Sequence, residues 1–228
     1  MMQLRDGSTT SDPRLGRLVQ EDQRALAPLR ARWAEGEPKA PVSRTWRVSR
    51  LLDQWYSSAC VGYAIAHRLI AEPIERTDVG DKQAQALYQA AKLYDLFPGE
   101  NYEGTSVTGG VVAAYQAGYV TGFRWARDLD ELILGIGHDG PAVVGSWWYE
   151  RMSRPAVNGA IVPKGRRLGG HAYLLNGVSL EARLFFGCNS WGTRWGMDGR
   201  FVITFADMAR LLADKGEAVF LQEKHIEE

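Results

Sequence analysis

The chain has 228 residues, 45% of them apolar and 24% charged, enough to bury one substantial core or two smaller ones packed face to face. Lysine plus arginine balance aspartate plus glutamate at 27 each, so there is no broad field for nucleic acid or an anionic membrane, and neither is expected as a partner. No apolar run is long enough to span a bilayer, and the opening MMQLRDGSTTSDPRLGR lacks the apolar stretch of a signal peptide.

Residues 1–13 are polar and turn-rich, and Leu15 to Trp33 carries scattered apolar positions interrupted by Pro28, so residues 1–41 read as an extension before a folded body at 42–221. From Ala59 to Ile70 the sequence is apolar almost all round, which predicts a buried helix starting near Ser57 or Ser58. Asp81 is placed to cap a second helix, whose stripe Ala84, Leu87, Tyr88, Ala91, Tyr94, Leu96 ends before Pro98-Gly99. A third runs from Ser106 to Ala117 with Gly118 as its stop, completing a helical lobe of about 42–118.

A short strand around Tyr119 to Trp125 is followed by Asp128-Leu129-Asp130-Glu131, the pattern of a capping box before Leu132-Ile133-Leu134. Pro141 to Tyr149, Ala172 to Val178, Arg183 to Cys188 and Arg200 to Phe205 are rich in branched and aromatic residues between Gly, Asn or Asp turns, which predicts strands. A helix at about Ala206 to Lys215, a strand at Ala218 to Leu221 and a polar tail at 222–228 complete a β-rich lobe of 119–221. Helices first and antiparallel strands second imply an α+β architecture of two lobes with a cleft between them.

Two cysteines, Cys60 and Cys188, allow one disulfide at most, and His67, His138, His171 and His225 have no metal-site spacing, so no structural zinc is expected. Cys60 stands at the N-terminus of the predicted buried helix, where unpaired N–H groups and the helix dipole favour a thiolate. Such a nucleophile needs a base, and the base needs a group to fix its tautomer. His171 follows Gly169-Gly170 at the opening of the strand His-Ala-Tyr-Leu-Leu, and Asn189 stands 18 residues later.

The segment Asn189-Ser190-Trp191-Gly192-Thr193-Arg194-Trp195-Gly196-Met197-Asp198-Gly199-Arg200-Phe201 resembles the stretch around the catalytic asparagine of the papain-like cysteine peptidases, the C1 family. Gln54 lies six residues before Cys60, the family's spacing between oxyanion-hole glutamine and nucleophile, and Glu103-Gly104-Thr105-Ser106 with Ala117-Gly118-Tyr119-Val120 resembles trimmed bacterial members. The resemblance covers about Val42 to Leu221. It implies a papain-like two-lobe fold and a thiol peptidase working through an acyl-enzyme, with peptide or protein as substrate and no metal or organic cofactor. By the same resemblance Cys60 attacks, His171 moves the proton, Asn189 orients the imidazole, Gln54 stabilises the oxyanion and Trp191 shields the His–Asn bond. Gly104, Gly145, Gly169, Gly170 and Ala172 match positions bordering the substrate cleft, and the small size of Gly145, Gly169 and Ala172 implies a roomy or shallow specificity pocket.

The sequence also departs from the pattern. The family's Cys-Gly-Ser/Ala-Cys-aromatic signature reads Ser57-Ser58-Ala59-Cys60-Val61 here, so the usual disulfide cannot form, which fits a reducing compartment, cytoplasmic or virion-associated. Trp147, Trp148 and Tyr149 read as strand core rather than pocket filler, His67 as a packed or surface histidine, His138 as a turn residue and Cys188 as an inert strand residue. Lys164-Gly165-Arg166-Arg167 reads as a solvated loop that could rim the cleft. The extension admits two roles, a short pro-segment over the cleft or a permanent arm packed behind the body; Pro28 and the lack of a long amphipathic helix favour the arm, through which a homo-oligomer or assembly partner would bind. The competing functional readings are a silent or structural papain-fold component of a bacterial or viral assembly, and a hydrolase of cell-wall peptides.

Overall fold

The computed structural model describes residues 2–4, 9–20, 39–73, 75–97 and 103–223. Two short strands, β1 (Met2–Gln3) and β2 (Thr9–Thr10), pair with each other, and β3 (Arg44–Thr45) joins the main sheet. Helices α1 (Cys60–Leu69), α2 (Asp81–Ala91) and α3 (Val107–Gln116) then precede β4 (Val120–Ala126), α4 (Leu129–His138), β5 (Ala142–Tyr149), β6 (Arg167–Ser179), β7 (Leu184–Cys188), β8 (Arg200–Thr204), α5 (Phe205–Ala213) and β9 (Glu217–Glu223). The order along the antiparallel sheet is β4-β9-β5-β6-β7-β8, with β3 pairing β6.

Successive residues of β6 serve opposite cores. Ala172 and Leu174 pack with α1, α2 and α3, whereas Tyr173 and Leu175 pack with Leu132 and Ile136 of α4 and Met208 and Leu211 of α5. Both faces of the central strands are therefore covered, which is why β5 and β6 read as nearly unbroken apolar runs. All ten residues of α1 are buried, as its all-round apolar sequence demands. Gly62 lets α2 approach closely, for a Cβ there would stand 2.2 Å from the Ala84 carbonyl oxygen.

Several boundaries differ from expectation for local reasons. Helix α1 begins at Cys60 and lacks a side-chain cap, because Ser57 Oγ donates to the Gln54 carbonyl at 2.7 Å and Ser58 Oγ lies 2.9 Å from Tyr88 Oη. The α2 cap is Gly80, whose N–H donates to Gln83 Oε1 at 3.1 Å, with Asp81 inside the first turn. At α3, Ser106 is the cap and not the first helical residue, its Oγ accepting from the Gly109 N–H; at α4, Asp128 Oδ1 accepts from the Glu131 N–H, as its pattern predicts. His138 closes α4 rather than sitting in a free turn. Strand β6 starts at Arg167, not at His171, because Arg167, Gly169 and Gly170 already pair with Tyr149, Trp148 and Trp147. Pro28, Trp33, Pro98, Gly99 and His225 lie outside the described residues, and among those described no helix is long and apolar enough to cross a membrane.

Candidate active site

Cys60 is the first residue of α1, so its Sγ sits where the helix presents unpaired amides, and the backbone amides of Ala172, Gly16 and Val61 favour its thiolate. It is fully buried, and burial outweighs these donors, pushing the thiol up to about 11. So buried, Cys60 is held as a neutral thiol.

His171 comes from β6, the residue before the Ala172 that touches Cys60. Its Nε2 lies 2.8 Å from Asn189 Oδ1, and its Nδ1 is buried without a hydrogen-bond partner. That geometry fixes Nε2 as the protonated, donating atom in the neutral ring and leaves Nδ1 as the nitrogen available for proton exchange. Burial lowers the imidazole to about 4, against the Asn189 hydrogen bond and the Asp12 charge, which favour the cation. Trp191 lies 4.9 Å from the ring between centroids, tilted by 43°, and Trp148 meets it edge-on at 4.8 Å. The two indoles keep water from the His171–Asn189 bond. Trp148 and Trp147 are both buried, as expected, and Trp147 also carries the Arg167 guanidinium 4.2 Å from its ring centroid.

Asn189 follows β7 and enters a loop whose Gly192, Gly196 and Gly199 all have positive φ, which returns the chain tightly into β8. This loop also holds Gln54 across the molecule. The Gln54 N–H donates to the Ser190 carbonyl at 2.9 Å, and Ser190 Oγ donates to Gln54 Oε1 at 2.6 Å. With its oxygen so engaged, Gln54 must aim its Nε2 donors toward Cys60's neighbourhood, where they reach the carbonyls of Ser57 at 2.6 Å and Arg14 at 3.1 Å.

Arg14 belongs to the extension, and its position corrects the expectation of an arm packed behind the body. Residues 12–20 cross the cleft between α1 and β6. The Arg17 N–H donates to the Gly170 carbonyl at 3.1 Å, the Leu18 N–H to the Thr105 carbonyl at 2.9 Å, and the Thr105 N–H to the Gly16 carbonyl at 2.9 Å. Leu15, Gly16, Arg17 and Leu18 are buried. The strap passes so closely that a Cβ on Gly16 would lie 2.0 Å from the Ser58 carbonyl oxygen. Physically, a chain with no helix of its own satisfies its backbone by borrowing that of Thr105 and Gly170.

The four glycines singled out in the sequence line this strap. Gly104, at φ +88°, backs onto the Gly16 carbonyl; Gly145 faces the Arg17 side chain; Gly169 faces Leu15 and Thr10; a Cβ on Gly170 would stand 2.1 Å from the Arg17 carbonyl oxygen. Ala172 touches Cys60, and Trp191 takes the Arg14 guanidinium 3.9 Å from its centroid. The sequence reading missed Ser190, Thr105, Arg17 and Glu217. Ser190 lay within the recognised motif and needed only a buried acceptor opposite it; the others act through the strap, for which no local pattern exists. His67, far from this chemistry, accepts from the Leu52 N–H at 2.9 Å.

No protein-family model and no curated protein matches the chain. Among solved structures, it is similar to xylellain, a cysteine protease from Xylella fastidiosa, at 17% identity and a TM-score of 0.71, over 96% of this chain and 99% of that one. It is similar to procathepsin B S9 from Trypanosoma congolense at 14% identity and a TM-score of 0.66, over 94% and 88% of the two chains. It also resembles the digestive procathepsin L2 proteinase of Tenebrio molitor, at 16% identity and a TM-score of 0.58, over 96% and 79%. These likenesses establish the fold, which is that of the papain-like cysteine proteases.

Proposed function

We propose that the chain is a cysteine peptidase that the strap keeps latent. The observation that carries this reading is the buried His171–Asn189 pair, on the strand residue next to Ala172, whose backbone amide favours the thiolate of Cys60 at the start of α1. Once a peptide replaces the strap, His171 takes the Cys60 proton on Nδ1 and the thiolate attacks the scissile carbonyl carbon. The carbonyl oxygen becomes an oxyanion that Gln54 Nε2 and the Cys60 N–H stabilise, contacts worth about 3 kcal/mol each at comparable sites. Collapse breaks the C–N bond, His171 passes its proton to the leaving amine, and a thioester remains. Water, deprotonated by His171, then attacks the thioester to give the carboxylic acid and restore the thiol.

That two of the similar structures are pro-forms supports the latent reading. The test is hydrolysis of a fluorogenic peptide library by the full chain carrying Gly16→Val, which the 2.0 Å approach to Ser58 cannot accommodate, beside the same chain with Cys60→Ala. Turnover lost with Cys60→Ala is the expected result; turnover that survives it overturns the mechanism. One observation favours the second reading, a silent assembly component: Leu15 is built into the sheet-side core, as a permanent arm would be. A cleft that stays closed to alkylation in Gly16→Val would select that reading.

A further inference from the structure

Three indoles gather around the His171 ring, and two of them hang from one serine. Trp148 of β5, fully buried, meets the imidazole edge-on at 4.8 Å and Trp191 at 5.2 Å, and its Nε1 donates to Ser153 Oγ at 3.1 Å. Trp195 meets Trp191 edge-on at 5.5 Å, and its Nε1 donates to the Ser153 carbonyl at 3.1 Å. Ser153 ends the short 3-10 turn Glu150–Ser153 that follows β5. The turn is itself pinned, for the Glu150 N–H donates to the Arg166 carbonyl at 2.9 Å, the Arg151 N–H donates to the Lys164 carbonyl at 3.1 Å, and Met152 is buried in the sheet-side core.

Trp191, tilted over the imidazole, has no polar anchor of its own, because its Nε1 is buried without a hydrogen-bond partner. Its neighbours Trp148 and Trp195 hold it, together with the Arg14 guanidinium on its face. Arg14 belongs to the strap. Once the strap leaves, Trp148 and Trp195 are still tied, both to Ser153, and Trp191 rests on them. The imidazole then keeps its Nε2 bond to Asn189, and one hydrogen bond does not stop a ring from swinging about that contact. A catalytic side chain stays within about 0.5 Å of its working place only when packed and hydrogen-bonded neighbours lock it.

We infer that Ser153 is a positioning residue for His171, acting through the Trp148 indole. The inference deepens the peptidase reading, on which its kinetic test rests. Ser153→Ala removes the hydroxyl alone and leaves the carbonyl that Trp195 uses. Trp148 Nε1 then becomes a buried donor without a partner, and that cost favours any turn of the indole that finds another acceptor and takes it off the imidazole.

The experiment places Ser153→Ala in the full chain with Gly16→Val and reads peptide hydrolysis together with the ¹⁵N resonances of ring-labelled histidine, assigned by comparison with His171→Gln. The expected result is a fall in kcat of about fivefold or more with KM within about twofold, because a displaced imidazole slows proton transfer and not ground-state binding. In the same variant the His171 signals should move from the single Nε2–H tautomer toward an averaged mixture. Adding Ser153→Ala to a chain that already carries Trp148→Phe, which has no ring N–H, should change kcat by less than about twofold. A Ser153→Ala chain that loses thermal stability but keeps kcat and the Nε2–H signature overturns the inference and leaves the peptidase reading standing. A full additional loss on top of Trp148→Phe also overturns it, since Ser153 would then act by another route. If the parent hydrolyses no peptide, the peptidase reading falls, and the imidazole signals, which need no substrate, still decide whether Ser153 places His171. Should Trp148→Phe fail to fold, the kcat and tautomer arms of Ser153→Ala carry the decision.

Discussion

Cys60 and Cys188 are buried to the same degree, and burial pushes both thiols far up, to about 11 and about 12. The chemistry around them is nevertheless different. Cys188 ends β7, paired with Leu174 and Arg200 in the ladder, and its cover is the sheet and the helical core. Cys60 is covered in part by Gly16 of a strap that crosses the cleft without joining the main sheet, and three amides already favour its thiolate. Burial by a removable segment stores reactivity, whereas burial by the core removes it, and exposure alone does not tell the two apart.

The sharpest way to break this comparison is to delete each thiol in turn. In the Gly16→Val chain, Cys60→Ala should abolish turnover and the labelling at that position, while Cys188→Ala should leave both within about twofold and cost roughly 1–2 kcal/mol of stability for the small cavity. Intact-mass labelling and chemical denaturation read the two effects, and comparable labelling of both sulfurs would remove the distinction.

Loosening the strap comes next in size. A thiol at about 11 is ionised at pH 7 to roughly one part in 10⁴, and a freed thiol of ordinary pKa to a few parts in a hundred at most, so Gly16→Val should raise the iodoacetamide rate at Cys60 by about 100-fold or more. The gain should be largest at neutral pH and shrink as the pH approaches 11, where the thiol ionises even under the strap. Cys188 should not respond. An unchanged Cys60 rate would mean that the strap is not what silences it.

The two buried histidines extend the comparison to stability. Burial lowers His67 to about 3 and His171 to about 4, below the ordinary histidine value. The unfolded chain therefore binds protons that the folded chain refuses, so their contribution is intact above about pH 6.5 and falls as the pH drops toward 4. The slope should approach about 1.4 kcal/mol per pH unit for each histidine, and urea denaturation across that window, with His67→Gln as the comparison, would show one share disappear. Stability that is flat between pH 6.5 and 4 would contradict the buried, neutral state of both.

Much of the helical lobe was legible because its signals are local: the all-round apolar run of α1, the Ser106 and Asp128 caps and the Gly118 stop all act within a turn or two. The residues that converge on the cleft could be named from a motif, since Asn189 to Phe201 is one continuous segment. The start of β6 was not legible, because Arg167 to Gly170 become strand only by pairing with β5. The strap was misplaced for the same reason: beyond the turn that Asp12 makes with Arg14 and Leu15, its conformation comes from Thr105, Gly170 and Gln54, each far away in sequence.

Ser190→Ala should give the smallest effect, and it tests whether the lock between the lobes matters beyond holding them together. Its hydroxyl fixes Gln54 Oε1, and Gln54 Nε2, held toward the Ser57 and Arg14 carbonyls, is the donor proposed above for the oxyanion. Losing one buried hydrogen bond should cost about 1 kcal/mol of stability. If orientation is the hydroxyl's role, kcat in the Gly16→Val chain should fall several-fold with KM nearly unchanged, because the contact to the oxyanion exists only at the transition state. Ser190→Thr, which keeps the donor, should recover most of the rate. A loss confined to stability, with kcat intact, would instead reduce Ser190 to a strut and shift the burden of aiming Gln54 onto the Ser57 carbonyl.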